Sequence, residues 1–309
     1  MSPRARSGAA AALVLAFVGA AGAAPRGSRA ALETRLRAIA ARFGGVVTLA
    51  GADLRTGASF GLNADQPVAT ASIIKLPVMV EAFFQMQEGK LHWSQVLTLR
   101  KSDQVPGSGI LQDLDPGLHL TLGDAITLMI DLSDNTAANL VIAQTGIAAV
   151  NARMRRLGLA HTELFSFVFH PPPSPQPEGY KKFGLGETTA ADMVRLLTLI
   201  QERKIVTPAA CDRMLAILKQ QQDNDAFPRF TTSDGRQITW AHKTGALNAV
   251  RNDVGIATTP SGAIVLAGFA QDSPDRRWTA DNAALLVLAR LAQTVVDWFA
   301  PVKAGGAGR

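Results

Sequence analysis

Cys211 is the only cysteine in 309 residues, so no disulfide can form within the chain. Aromatic residues are sparse at 6%, with Tyr180 the single tyrosine, and the net charge is only +6. A nucleic-acid surface needs clustered basic residues interleaved with stacking rings, and no such stripe occurs. The five histidines, at 92, 119, 161, 170 and 242, show no metal-ligand spacing, so neither a metal nor another cofactor is expected. There is no internal repeat. Apart from the first residues, no apolar run approaches the length of a membrane span, which argues against stable membrane insertion.

Those first residues read as a targeting segment. Arg4 and Arg6 precede an apolar stretch at 9–18, and Ala21-Gly22-Ala23 is a small-x-small cleavage pattern. Residues 1–23 are therefore expected to be a secretory signal peptide, giving a secreted or periplasmic protein that starts near Ala24. No cysteine stands at that point to carry a lipid. The remainder, 24–309, is a chain of about 285 residues, enough for one large domain or two parts sharing a core.

The hydrophobic pattern changes period twice. Residues 32–43 read as an amphipathic helix; 46–54 and 58–62 read as strands joined by a turn at Arg55-Thr56-Gly57. From Ser72 to about Gln222 the signals are helical, with helix starts at Thr121 and Asp124, Thr189 and Asp192, and Thr207 before Pro208. Strands return at 237–242, 254–258 and 263–270, and a last amphipathic helix covers 278–299. Sheet elements thus come from both ends. The expected fold is α/β, with an α/β part from residues 30–70 and 226–300 and an all-α insertion at 71–225. Residues 304–309 read as a frayed tail, and a monomer is expected.

Three short motifs carry the chemistry. Ser72-Ile73-Ile74-Lys75 opens a segment, 73–86, that is apolar nearly all round, as in a buried helix. Positions three apart share a helical face, which puts Lys75 one turn from Ser72. A serine hydroxyl is a weak nucleophile until a base takes its proton, and a lysine can be that base when burial or another cation destabilises its ammonium. Free N–H groups at the helix start would favour an oxyanion near Ser72. Pro77 removes a donor early in this helix, and a local kink is expected there. Ser133-Asp134-Asn135 falls at a turn between two helical segments. Lys243-Thr244-Gly245 ends a strand-like run, with a glycine that permits close backbone approach. Arg251 is either a source of positive charge for the site or an ordinary surface arginine, and Asp253 is a candidate partner for it. His242, just before the lysine, is either a plain strand residue or a titratable neighbour.

In this order and spacing the motifs resemble the class A β-lactamases and the penicillin-binding proteins. The resemblance implies the two-part serine β-lactamase-like fold, an antiparallel sheet flanked by the terminal helices with an inserted all-α sub-domain. It implies a Ser72 nucleophile, Lys75 as base and Ser133 as proton relay to the leaving nitrogen. Asn135 would bind the substrate amide and Asp134 would brace the turn. Lys243 and Thr244 would hold a substrate carboxylate, Gly245 would admit the acyl group, and Ala246 would join Ser72 in the oxyanion hole. The substrate would be a small-molecule β-lactam or a cell-wall peptide.

The chain departs from the class A pattern at one functional position. Where a loop glutamate is expected to activate the deacylating water, the sequence reads Phe167-Val168-Phe169-His170, followed by a proline-rich run to Pro177. The candidates left for that task are Glu163, His170, Glu178, Glu187 and Lys75. Three functions follow: a β-lactamase-like hydrolase with an unusual deacylating base; a penicillin-binding D-Ala-D-Ala peptidase, transpeptidase or esterase; or a β-lactam sensor that stays acylated. The match at Thr188-Thr189-Ala190-Ala191-Asp192-Met193 favours the first.

Overall fold

Strands from both ends of the chain meet in one sheet. The computed structural model describes residues 27–232 and 235–301, so the proposed signal segment, its cleavage point and the tail lie outside the described residues. In chain order the first elements are α1 (Arg29–Ala40), β1 (Val46–Asp53), β2 (Ala58–Leu62), β3 (Val68–Ala69) and α2 (Lys75–Gln87). Then come β4 (Val96–Thr98), β5 (His119–Thr121), α3 (Leu122–Asp131), α4 (Asn135–Thr145) and α5 (Ile147–Arg156). These are followed by β6 (Glu163–Leu164), α6 (Glu178–Phe183), β7 (Gly186–Thr188), α7 (Ala190–Gln201) and α8 (Pro208–Leu218). The chain closes with β8 (Thr239–Leu247), β9 (Val250–Thr259), β10 (Gly262–Gln271) and α9 (Ala283–Phe299).

The main sheet is antiparallel, in the order β2-β1-β10-β9-β8, with Ala50 opposite Ala267 and Lys243 opposite Val254. Side chains alternate across its pleat. Val265, Ala267 and Phe269 of β10 join the core of the helical block, whereas Ile264, Leu266 and Ala270 pack with Leu36, Leu288 and Phe299 of the terminal helices. The helical block is itself a core of α2, α3, α4 and α7, with Met79, Ile126, Val141 and Leu196 fully buried.

Helix starts follow the sequence closely. Thr121 accepts from the Asp124 N–H while Asp124 accepts from Thr121, and Thr189 and Thr207 cap α7 and α8. Pro77 is third in α2, directly after the 3₁₀ turn Ala71–Ile74. It therefore sits in the first turn, where a missing donor leaves no intrahelical bond broken.

Other expectations need correction. β8 does not stop at His242 but runs through Lys243-Thr244-Gly245 to Leu247, because each of these residues pairs with β9. The last helix begins at Ala283, capped by Asn282, rather than at Trp278. The middle of the chain also holds two small sheets, β3-β7-β6 and β4-β5, too short to leave a period in the sequence. Among the described residues no helix is long and apolar enough to cross a membrane.

Candidate active site

The three motifs converge on one cleft of about 840 Å³. Ser72, Ser133, Asn135, Thr244, Gly245 and Ala246 line it, while Lys75 and Lys243 stand behind them, fully buried. Each motif sits at an end or an edge of its element: Ser72 in the 3₁₀ turn before α2, Ser133 in the bend between α3 and α4, Gly245 on the outermost strand.

Two backbone positions here are strained. Ala71 and Ser133 have φ of 47° and 55°, in the left-handed region that residues with a Cβ seldom adopt. Such strain persists only where surroundings enforce it, and it collects at functional sites. Around Ser133 the enforcement comes from Asp134, whose Oδ1 accepts from the Ala137 N–H and whose Oδ2 accepts from the N–H groups of Ile110 and Leu111. Before Ser72 it comes from Asn252 of β9, whose Nδ2 donates to the carbonyls of Ala69 and Thr70. The Asn252 Oδ1 accepts from Gln271. Gly245 completes the junction: a Cβ there would lie 2.8 Å from the Thr70 oxygen and 3.1 Å from the Ser72 nitrogen, so only glycine lets the strand approach this closely.

Lys75 Nζ lies 2.6 Å from the Ser133 carbonyl oxygen, 2.7 Å from Asn135 Oδ1 and 3.2 Å from Ser133 Oγ. No hydrogen bond joins it to Ser72 in this conformation. Burial holds the Lys75 amine well below its ordinary pKa, the nearby charge of Lys243 pushes the same way, and Asp134 opposes them. Lys75 Nζ donates to all three oxygens, the Ser133 carbonyl, the Asn135 side-chain carbonyl and the Ser133 hydroxyl.

Lys243 is held differently. Burial lowers it to about 8, against the pull of Asp223, Asp253 and Asp131, and Nζ donates to the Thr244 carbonyl. Asp131 and Asp223 both line the cleft. Asp131 Oδ1 is buried with no hydrogen-bond partner, and burial pushes this carboxyl up to about 6.

The pairing of Arg251 with Asp253 does not form. Asp253 is taken by His242, with Nδ1 and Oδ1 2.9 Å apart, and by the N–H of Phe227. Arg251 is buried rather than a surface residue. Its guanidinium donates to the carbonyls of Leu247, Val250 and Arg277 and lies 4.3 Å from the centre of the Trp278 ring. It stands behind the cleft wall, and Trp278 lines the cleft in front of it.

The loop after α5 is pinned by side-chain amides that mimic a strand neighbour. Asn151 makes two hydrogen bonds with the backbone of Leu164, and Asn139 makes two with that of Val168. Val168 lines the cleft and packs in the core of the helical block.

Comparison with known proteins decides the family. A profile described as the β-lactamase enzyme family matches residues 31–299. The chain belongs to the β-lactamase enzyme family. A β-lactamase of Rhodobacter capsulatus is 26% identical over 268 residues, 86% of this chain and 88% of its own. The crystal structure of a β-lactamase from Sphaerobacter thermophilus superposes with a TM-score of 0.79 at 30% identity, covering 89% of this chain and 99% of that one. A leucine-to-glutamate variant of PBP-A, solved as an acyl-enzyme complex with penicillin G, superposes at 0.76 with 26% identity, covering 91% and 100%. The chain is a β-lactamase-like serine hydrolase with the mixed α/β fold that the motif order implies.

Within this β-lactamase scaffold, the acidic and histidine candidates for deacylation do not reach the cleft. Glu163 and Glu187 face each other across β6 and β7 and open on a separate cavity. The Glu178 side chain is 87% exposed and pairs with Lys181. His170 lines a small cavity with Asp103 and Asn139. Asn252 and Asn139 were not singled out in the sequence. Asn252 precedes Asp253 in a run that gives no local cue, and Asn139 sits mid-helix, four residues after Asn135, where a polar side chain on a buried face was the available signal.

Proposed function

We propose that this protein opens β-lactam rings by acyl transfer to Ser72 and releases the acyl group slowly. The observation that carries the reading is Lys75: fully buried, held toward its neutral form, and bonded to both Ser133 and Asn135 of the second motif. Neutral Lys75 takes the proton of Ser72, one turn away. Ser72 Oγ bonds to the lactam carbonyl carbon, and the developing oxyanion is held by the N–H groups of Ser72 and Ala246. The carbon–nitrogen bond then breaks as Ser133 passes its proton to the leaving nitrogen and regains one from the Lys75 ammonium. Lys243 and Thr244 receive the substrate carboxylate, and Asn135 uses its remaining N–H on the substrate amide. Arg251 acts through Trp278, by fixing it, rather than by touching the carboxylate.

Release needs an activated water. With Val168 where a carboxylate would help, and with Asp131 and Asp223 coupled to Lys243, Lys75 is the base left for both steps. This also favours a second reading, a penicillin-binding peptidase or esterase for which β-lactams are long-lived acylators. The apolar segment and cleavage pattern within residues 1–23 support action outside the cytoplasm, in the periplasm.

A time course with a chromogenic β-lactam at several enzyme concentrations, with intact-protein mass measurement, tests the proposal. A burst proportional to enzyme followed by slow steady turnover, with the adduct absent in Ser72→Ala, is expected. An adduct on Ser72→Ala would refute the nucleophile, and a burst with no turnover would favour the peptidase reading.

A further inference from the structure

Two large aromatic side chains stand exposed at the cleft mouth. Phe169 is 61% exposed and Trp278 67% exposed, and both line the cleft. Exposed apolar side chains gathered at one cleft, rather than scattered singly, are a mark of a ligand-binding groove.

Each ring is fixed in place by its own device. Phe169 lies at the tip of a tight turn in which the His170 N–H donates to the Phe167 carbonyl, directly after the Asn139 clamp on Val168. Its φ is 60°, a conformation that a bulky residue adopts only under constraint. An asparagine or glycine would suit that turn better, so the position keeps its ring at the expense of backbone comfort. The ring lies over Gly107, where a Cβ would come within 3.6 Å of it and 2.7 Å of Asn135 Nδ2. Phe169 therefore shares a wall with Asn135. Trp278 stands on the other wall, past the end of β8. One face of its indole rests on the Arg251 guanidinium, which three carbonyls hold. A cation so anchored fixes the ring and leaves its other face free.

We infer that Phe169 and Trp278 are specificity-determining residues, a two-sided aromatic grip that selects substrates with flat apolar groups on both flanks of the scissile bond. The inference rests on the acyl-transfer reading, which sets the two sides. The acyl side chain, bound by Asn135, lies against Phe169; the leaving-group side, bound by Lys243 and Thr244, lies against Trp278.

The test measures Ser72 acylation rates, by adduct mass, on the full mature chain. For Phe169, two penicillins differing only in the acyl side chain, phenylacetyl or acetyl, are compared. For Trp278, two esters differing only in the leaving group, phenyl-bearing or methyl-bearing, are compared. Phe169→Asn, which relieves the backbone, should slow the phenylacetyl penicillin by about tenfold and leave the acetyl one within about twofold. Trp278→Ala should do the same to the phenyl-bearing ester and spare the methyl one. Phe169→Tyr and Trp278→Tyr should restore most of the preference. If a variant slows both members of its pair equally, or neither, the grip is refuted for that residue. Failure of the unmodified protein to be acylated by any of the four would overturn the acyl-transfer reading itself.

Discussion

Asn139 holds Val168 by both ends of its side-chain amide, Nδ2 donating to the Val168 carbonyl at 3.0 Å and Oδ1 accepting the Val168 N–H at 2.8 Å. The backbone at 168 is thereby fixed, and residue 168 is among those that line the cleft holding Ser72. Val168→Glu should supply a carboxylate for water without moving the loop. Adduct decay should quicken by about 10²-fold or more, the usual scale for a positioned general base, while adduct formation changes little. Single-turnover kinetics separates the two; unchanged decay would mean that 168 is not the position that matters.

Lys243 titrates at about 8, so its ammonium is present below that pH and is lost above it. Apparent affinity for a carboxylate-bearing β-lactam should fall as pH rises through 8 to 9. A neutral ester should show no such loss. Steady-state profiles on the two substrates check this, and identical profiles would remove Lys243 from carboxylate recognition.

Asp131 tests the electrostatics behind the cleft. Its carboxyl is raised to about 6 by burial, from an ordinary value of about 3.9. Between those values the folded protein holds a proton that the unfolded chain has lost, so this group makes the fold less stable as pH rises from 4 to 6. Asp131→Asn should therefore melt higher than the unmodified protein at pH 7.5, with the gap closing by pH 4.5. A gap independent of pH would contradict the assignment.

Asn252→Ala should remove both hydrogen bonds to Ala69 and Thr70 and leave Gln271 without its acceptor. A loss of about 1–3 kcal/mol in stability is expected from buried groups left unpaired. The turn carrying Ser72 should also loosen, so that acylation slows more than initial binding weakens. Denaturant melts and acylation rates measure the two effects.

The motifs that converge on the cleft were legible because the chemistry they suggest admits few residue types. Ser72 in the turn that leads into an apolar helix begun by Lys75, and the caps at Thr121, Thr189 and Thr207, needed only local rules. What escaped was set by partners distant in sequence. Lys243-Thr244-Gly245 has no strong strand preference, yet β9 pairs with it throughout and extends β8 to Leu247. Closeness in sequence points Asp253 to Arg251. A buried histidine on the neighbouring strand captured it instead, and Arg251 found carbonyls and a ring. The strands β3, β6 and β7, two or three residues each, are too short for any periodicity to mark them.

The Ser72 turn is tied down by Asn252, a residue 182 positions beyond the Thr70 carbonyl that it holds. A chain made from its amino terminus thus carries Ser72 long before the residue that holds the turn in front of it. Contacts of such span are slow to form. A species lacking β8 and β9, whether nascent, truncated or partly unfolded, lacks the side chain that holds the turn before Ser72.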